Sequence, residues 1–329
     1  MSALAPTLQA FFTDRLTRQR NASPQTVAAY RDGLRLLVSF ASQRARKQPS
    51  KLDFEDLDAT TIGAFLDSLE RERGNSVRTR NARLAAVHSL FRYAALRHPE
   101  HAELIQRVLA IPPKRFDRAL VSFLTRPEVE ALLESPDRST WTGRRDHAML
   151  LLATQTGLRA SELTGLTCGD VHLGAGAHVA CHGKGRKDRI TPLLPGTVAT
   201  LRVWLTERAG QTSDPLFPAR RGHALSRDAV EHHLAKYVAS AAARCSSLGG
   251  KRVSAHVLRH TAAMQLLHAG VDTSVIALWL GHEHVETTQI YLHADLRLKE
   301  QALARTKPPT TKPGRFRPSD SLLVFLEGL

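Results

Sequence analysis

Cysteine is scarce. Three occur in 329 residues, Cys168, Cys181 and Cys245, odd in number and far apart. That rules against a disulfide framework and fits a reducing, cytoplasmic setting. No run of roughly 18 apolar residues occurs, so no membrane-spanning helix is expected. Met1 to Ala10 lacks a basic stretch followed by an apolar core, so a secretory leader is not expected either. Aromatic residues make up only 5%, and tyrosine appears four times.

Acidic residues fall well short of basic ones, 31 against 46, for a formal net charge of +15. A polyanionic partner follows. The excess is spread over the chain. Residues 1–111 hold 17 Lys and Arg against 11 Asp and Glu, and the remainder holds 29 against 20. Two basic bodies suit a clamp around a duplex, where neutralised phosphates release counterions. Charge alone does not separate DNA from RNA.

The first hundred residues show helical spacing and few strand signals. Ser23-Pro24 is a cap followed by proline at the first helical position, and Val27, Tyr30, Leu34, Leu37 and Val38 recur from there to about Ala45. A second helix is expected from Asp58 to near Gly74, and a third from Ser76 to Arg97. On the third, Arg80 and Arg83 are three apart and share a face away from the apolar stripe. Ile111-Pro112-Pro113-Lys114 breaks the pattern. The expected division is a helical bundle over 1–111, a linker over 112–122, a second domain over 123–306 and a flexible, Pro- and Lys-rich tail over 307–329. The second domain opens with a capping-box pattern at Thr125. It then reads as helix to Thr156, a short β region between Gly169 and Leu194, and helices again from Ser226. The fold class is mainly α with a small β-sheet.

Six side chains in the second domain carry the chemistry. His256 and Arg259 are three apart on one helix, and the arginine offers a planar fork to phosphate oxygens. Arg159 follows Thr156-Gly157 and precedes a helix start, beside free backbone N–H groups. Glu162, three residues on, could hold its guanidinium. Lys184 sits between Gly183 and Gly185 at the tip of an expected hairpin, where it could reach a leaving oxygen. Its neighbours Arg186, Lys187 and Arg189 suit backbone phosphates. His282 follows a glycine helix stop, and Tyr291 comes nine residues later. A tyrosine is a poor nucleophile at neutral pH without help, and arginines with a nearby base are that help. His256 and His260 are four apart, but the metalloprotease glutamate is missing and Arg259 sets a cation between them. No metal site is expected. His260 is read as a structural or supporting histidine.

The segments TGLRASEL, HGKGRKDR, HVLRHTAA and LGH, with the following tyrosine, resemble the tyrosine recombinase, or phage integrase, family, in the style of its Xer-like and transposon-borne members. The resemblance is strong over about 125–295. Residues 5–110 look similar to that family's SAM-like helical core-binding domain. It implies a catalytic set of Arg159, Lys184, His256, Arg259, His282 and the nucleophile Tyr291, acting without metal, ATP or other cofactor through a 3′-phosphotyrosyl link and a Holliday junction. Double-stranded DNA with a specific site is the implied partner. A tetramer on two sites is implied as well, and an accessory or second recombinase is possible. Arg80 and Arg83 become candidate DNA contacts. Leu322, Leu323, Phe325 and Leu326 could dock on a neighbouring protomer.

Two other functions compete at this level. A type IB topoisomerase uses similar chemistry with no partner site. A DNA-binding protein without catalysis would keep the charge but not the six residues. Tyr237 stands as the alternative nucleophile. A basic RNA-binding module is weaker, since no RNA-binding motif appears.

Overall fold

The computed structural model describes residues 3–116, 121–182 and 188–282, together with Thr288 and Tyr291. The chain divides into two compact units, Met1–Ala119 and Leu120–Leu329.

The first unit is all helix. α1 (Leu4–Ala10) runs straight into a π-helical segment, Phe11–Gln19. α2 (Pro24–Ala45), α3 (Ala59–Arg71) and α4 (Val77–Ala95) each begin with a side chain that accepts from the helix's own free N–H groups, from Ser23, Asp58 and Ser76 respectively. α5 (Ala102–Leu109) closes the unit. Phe11, Leu37, Phe54, Leu66, Leu84 and Phe91 are buried at its centre. The expected linker is tied down at its start. Asn81 on α4 donates to the carbonyl of Lys114 at 2.8 Å and accepts its N–H at 3.1 Å, and Arg80 donates to the Pro112 carbonyl at 3.3 Å.

The second unit is α + β. α6 (Arg126–Leu133) opens it with the capping box expected at Thr125 and Glu128. α7 (Trp141–Thr156) lies at the centre and packs on α6. The short α8 (Ala160–Gly165) leads into three strands. β1 (Val171–His172), β2 (His178–His182) and β3 (Asp188–Pro192) pair antiparallel in that order, in a register that sets Val179 opposite Thr191 and Cys181 opposite Arg189. α9 (Pro195–Arg208), α10 (Arg227–Ala242), α11 (Ala255–His268) and α12 (Thr273–Leu280) follow, with α9 and α11 packed against α7. No described helix is long and apolar enough to cross a membrane.

A buried polar cluster joins α10 to α7. Asp146 accepts from the Tyr237 hydroxyl at 2.7 Å and pairs with His233 Nδ1 at 2.8 Å and Arg145 Nε at 2.8 Å. Arg145 also donates to the Pro218 carbonyl at 2.8 Å. Every partner of this fully buried carboxylate is a donor or a cation, which offsets the loss of its hydration. Tyr237 is held here, 6% exposed, with its hydroxyl donating to Asp146. Burial and Asp146 both push its pKa upward, so it does not suit the alternative nucleophile.

The helix expected over about 287–304, the tail 307–329, Lys184, Arg186 and Lys187 fall outside the described residues, apart from Thr288 and Tyr291.

Candidate active site

The site is built where α7, α11 and α12 meet. Gly157 ends α7 in a left-handed conformation, φ +64°, which L side chains rarely adopt. A Cβ there would also lie 2.7 Å from the Leu280 side chain and 3.1 Å from Ala262. Glycine thus lets three helices approach and turns the Gly157 carbonyl toward α11. Arg259, on α11, donates Nη1 to that carbonyl at 2.8 Å and Nη2 to the Leu280 carbonyl at 2.6 Å. It is 2% exposed. Burial, and then the charge of Arg159, draw its pKa down to about 10, still far above neutral pH.

Arg159 sits at the start of α8. Its backbone N–H donates to Glu162 at 2.8 Å, its Nη1 to the same carboxylate at 2.7 Å, and its Nη2 to the Gly281 carbonyl at 3.1 Å. The expected Arg159–Glu162 pairing is therefore present. Arg189 is different. The expectation that it touches DNA phosphates is corrected: it donates to both oxygens of Glu162 at 2.9 and 2.7 Å, with its side chain 10% exposed. The reason is the hairpin, which brings β3 back over α8. Burial would raise the pKa of Glu162, but hydrogen bonds from Arg189 and Arg159 overcome it and bring it down to about 2.

Glu162 is thus a keystone for two guanidiniums. Its folded pKa lies below its ordinary value of 4.5, so its stabilisation is complete above that pH and lost as pH falls toward 2. Urea unfolding across that window should show Glu162→Gln with a flatter pH dependence than the wild type. Glu162→Ala, which leaves two arginines facing each other, should cost about 3 kcal/mol at neutral pH.

The remaining rings form a row. His256 projects from the first turn of α11 at the exposed end, with its ring centroid 4.3 Å from that of His260. His260 Nδ1 lies 3.0 Å from the Tyr291 hydroxyl, and the Tyr291 ring stacks on His282 at 6.5 Å. His282 Nδ1 is 2.8 Å from the Thr288 hydroxyl. Burial first, and then neighbouring positive charge, bring His282 and His260 down to about 4, so both rings are neutral at pH 7. Tyr291 is 1% exposed, and burial raises its pKa against the pull of Arg259 and Arg159. The contact with His260 has no signature in the sequence. Four-residue spacing puts His260 beside His256, but nothing local shows that it meets the tyrosine.

Arg159, Ala160, Ser161, Arg227, Glu231, Ala255, His256 and Arg259 line a cleft of about 240 Å³. At about 30 Å³ per water that is room for roughly eight waters, ample for a phosphodiester. Among the described residues no group of three or more His, Cys, Asp or Glu side chains is placed to hold a metal ion.

In the first unit, the spacing of α4 sets Arg80 on an outward face as a DNA contact. The structure corrects this. Arg80 is 6% exposed, beneath the 112–114 segment that it helps to fasten. Arg83 is half-buried; burial, and then the charge of Arg73, lower its pKa.

Residues 122–297 match the family model described as phage integrase family, and residues 10–98 match that of its N-terminal SAM-like domain. The chain is 59% identical over 328 residues to y4rC of Sinorhizobium fredii, which bears an integrase/recombinase name, covering 100% of this chain and 99% of that one. It is 34% identical over 304 residues to the tyrosine recombinase XerC of Pelobacter propionicus, covering 91% and 94%. Its fold is similar to that of the XerH site-specific recombinase bound to palindromic difH substrate, with TM-score 0.66 and 24% identity over 87% of this chain and 81% of that one. The chain belongs to the phage integrase family, the tyrosine recombinases, which are site-specific DNA recombinases.

Proposed function

We propose that this chain cuts and rejoins duplex DNA at a specific site by transferring a phosphoryl group to Tyr291. The Tyr291 oxygen forms a bond to phosphorus, and the bond from phosphorus to the 5′ oxygen breaks. A 3′-phosphotyrosyl link and a free 5′-hydroxyl result. The phenol proton passes toward His256, and Lys184 protonates the departing oxygen. The reverse attack by a partner strand rejoins the backbone and restores the tyrosine, so the phosphoester energy is kept and no ATP is consumed.

The reading is carried by one observation: Arg159, Arg259 and His256 line a single cleft, and the row of rings from His256 leads directly to Tyr291. Two fixed cations lining one cleft suit a five-coordinate phosphorus, whose negative charge grows in the transition state. Arg259 commits two of its five N–H groups to carbonyls, which fix the guanidinium where it lines the cleft. His282 contributes as a neutral donor. With the Thr288 hydroxyl donating to Nδ1, the neutral ring would carry its proton on Nε2, free to donate to a phosphate oxygen. The phenol is buried, so attack requires its delivery from the His260 contact into the cleft.

The basic helical unit grips the duplex on its phosphates, and four protomers on two sites exchange strands through a Holliday junction. The test is a set of nicked duplexes taken from the DNA flanking the gene, incubated with the protein in chelator and without nucleotide. A band of protein covalently joined to DNA on a denaturing gel is the expected result. Relaxation of plasmids carrying none of these sites, with no site-dependent adduct, would instead mark a topoisomerase.

A further inference from the structure

The cleft contains one group that does not fit a phosphate site. Glu231, on α10, puts a carboxylate among Arg159, Arg227, His256 and Arg259. A negative charge there repels the very ligand the arginines attract. Its own contacts show what it does instead. Glu231 Oε1 accepts the backbone N–H of Ala255 at 3.1 Å, and Ala255 is the first residue of α11. The ordinary cap of that helix, Ser254, makes only a long contact to Val257, at 3.4 Å. The next residue after Ala255 is His256. Glu231 therefore holds the turn from which His256 projects.

We propose that Glu231 is a positioning residue for His256: it anchors the first turn of α11 and faces the imidazole with the one negative charge among the described residues of the cleft. This rests on the strand-cleavage reading above for its purpose, but not for its test. The groups that face His256 are Arg159 from α8, Arg227 and Glu231 from α10, and Arg259 and His260 from α11 itself. All but Glu231 are cationic or neutral, and the helix N-terminus adds its own partial positive charge. Burial and the charges of Arg259 and Arg159 lower the proton affinity of His256, and Glu231 alone among them raises it.

The anchor is itself anchored. His233 and Tyr237, two and six residues beyond Glu231, are the side chains that bind α10 to Asp146 on α7. α10 thus acts as a bracket, with one part fixed to the central helix and its first turns reaching to α11. The buried cluster, otherwise remote from the chemistry, sets the position of the carboxylate.

The test is an NMR titration of the His256 imidazole in the full-length protein without DNA, its signal assigned by loss in His256→Asn. In Glu231→Gln, which keeps an acceptor and removes the charge, the midpoint should fall by about half a pH unit or more. Glu231→Asp, which retains the charge one methylene further back, should give a smaller fall, and it serves if the glutamine variant does not fold. Ser254→Ala should leave the midpoint in place. On a cleavable duplex, the limb of the pH–rate profile governed by His256 should move to lower pH by the same interval, while DNA binding by Glu231→Gln holds or tightens. An unchanged midpoint in both Glu231 variants overturns the proposal. Because the titration needs no cleavage, it judges Glu231 whether or not the covalent adduct forms.

Discussion

Tyr291→Phe is expected to bind DNA as the wild type does and to form no covalent adduct. The chain holds four tyrosines. Tyr93 is 4% exposed within the helical unit, and Tyr30 packs there with its ring stacked 6.3 Å from Phe11. Tyr237 is tied to Asp146. Only Tyr291 joins the row of histidines that runs to the cleft. Phenylalanine keeps the ring that packs on His282 and loses a single hydrogen bond with His260, worth about 1 kcal/mol. The fold should therefore survive and the chemistry should not. An adduct that persists in Tyr291→Phe would assign the nucleophile elsewhere.

Arg259→Ala should have the next largest effect. A cation set against a transferring phosphoryl group is worth about 10³ to 10⁵ in rate. Single-turnover cleavage on saturating DNA should fall by that order. Arg259→Lys should recover little of it. One ammonium can supply charge, but its compact head does not span the Gly157 and Leu280 carbonyls that the guanidinium grips at 2.8 and 2.6 Å. Both variants should also melt earlier, since two buried carbonyls lose their donors. A rate for Arg259→Lys within tenfold of the wild type would show that the fork geometry is not what the site requires.

Much of this arrangement is legible in the amino-acid sequence, wherever its cause is local. Ser23, Asp58, Ser76, Ser226 and Asp272 mark helix starts because a short polar side chain there satisfies an otherwise free N–H. Gly157 and Gly281 mark helix stops for an equally local reason, their left-handed φ of +64°. Helices without such marks escape sequence reading. α1 begins after Ala3 with no capping side chain, and α9 begins after Leu194 in the same way. α9 also leaves Val203 exposed, which blurs its apolar stripe.

The side chains whose surroundings the sequence does not show share a different cause. Arg80 is covered by a segment 32 residues away, and Arg189 reaches a carboxylate 27 residues away. His260 meets a tyrosine 31 residues on. In each case helical or strand periodicity fixes the direction of the side chain, and a distant part of the chain decides what it meets. Basic residues are the most exposed to this error, because an arginine reads the same whether its partner is a phosphate or a buried glutamate.

The Glu162 pairs carry a further consequence for how the protein tolerates salt. Screening acts over about 8–10 Å of solvent at ordinary ionic strength, and it acts on charges that water can reach. Glu162, with its side chain 3% exposed, is largely out of reach, whereas binding to duplex phosphates is governed by released counterions. Ionic strength should therefore act on occupancy of the DNA and leave the paired arginines assembled. Activity lost at high salt should return when more DNA is added, and a salt titration becomes a means of separating capture of the duplex from the chemistry performed on it.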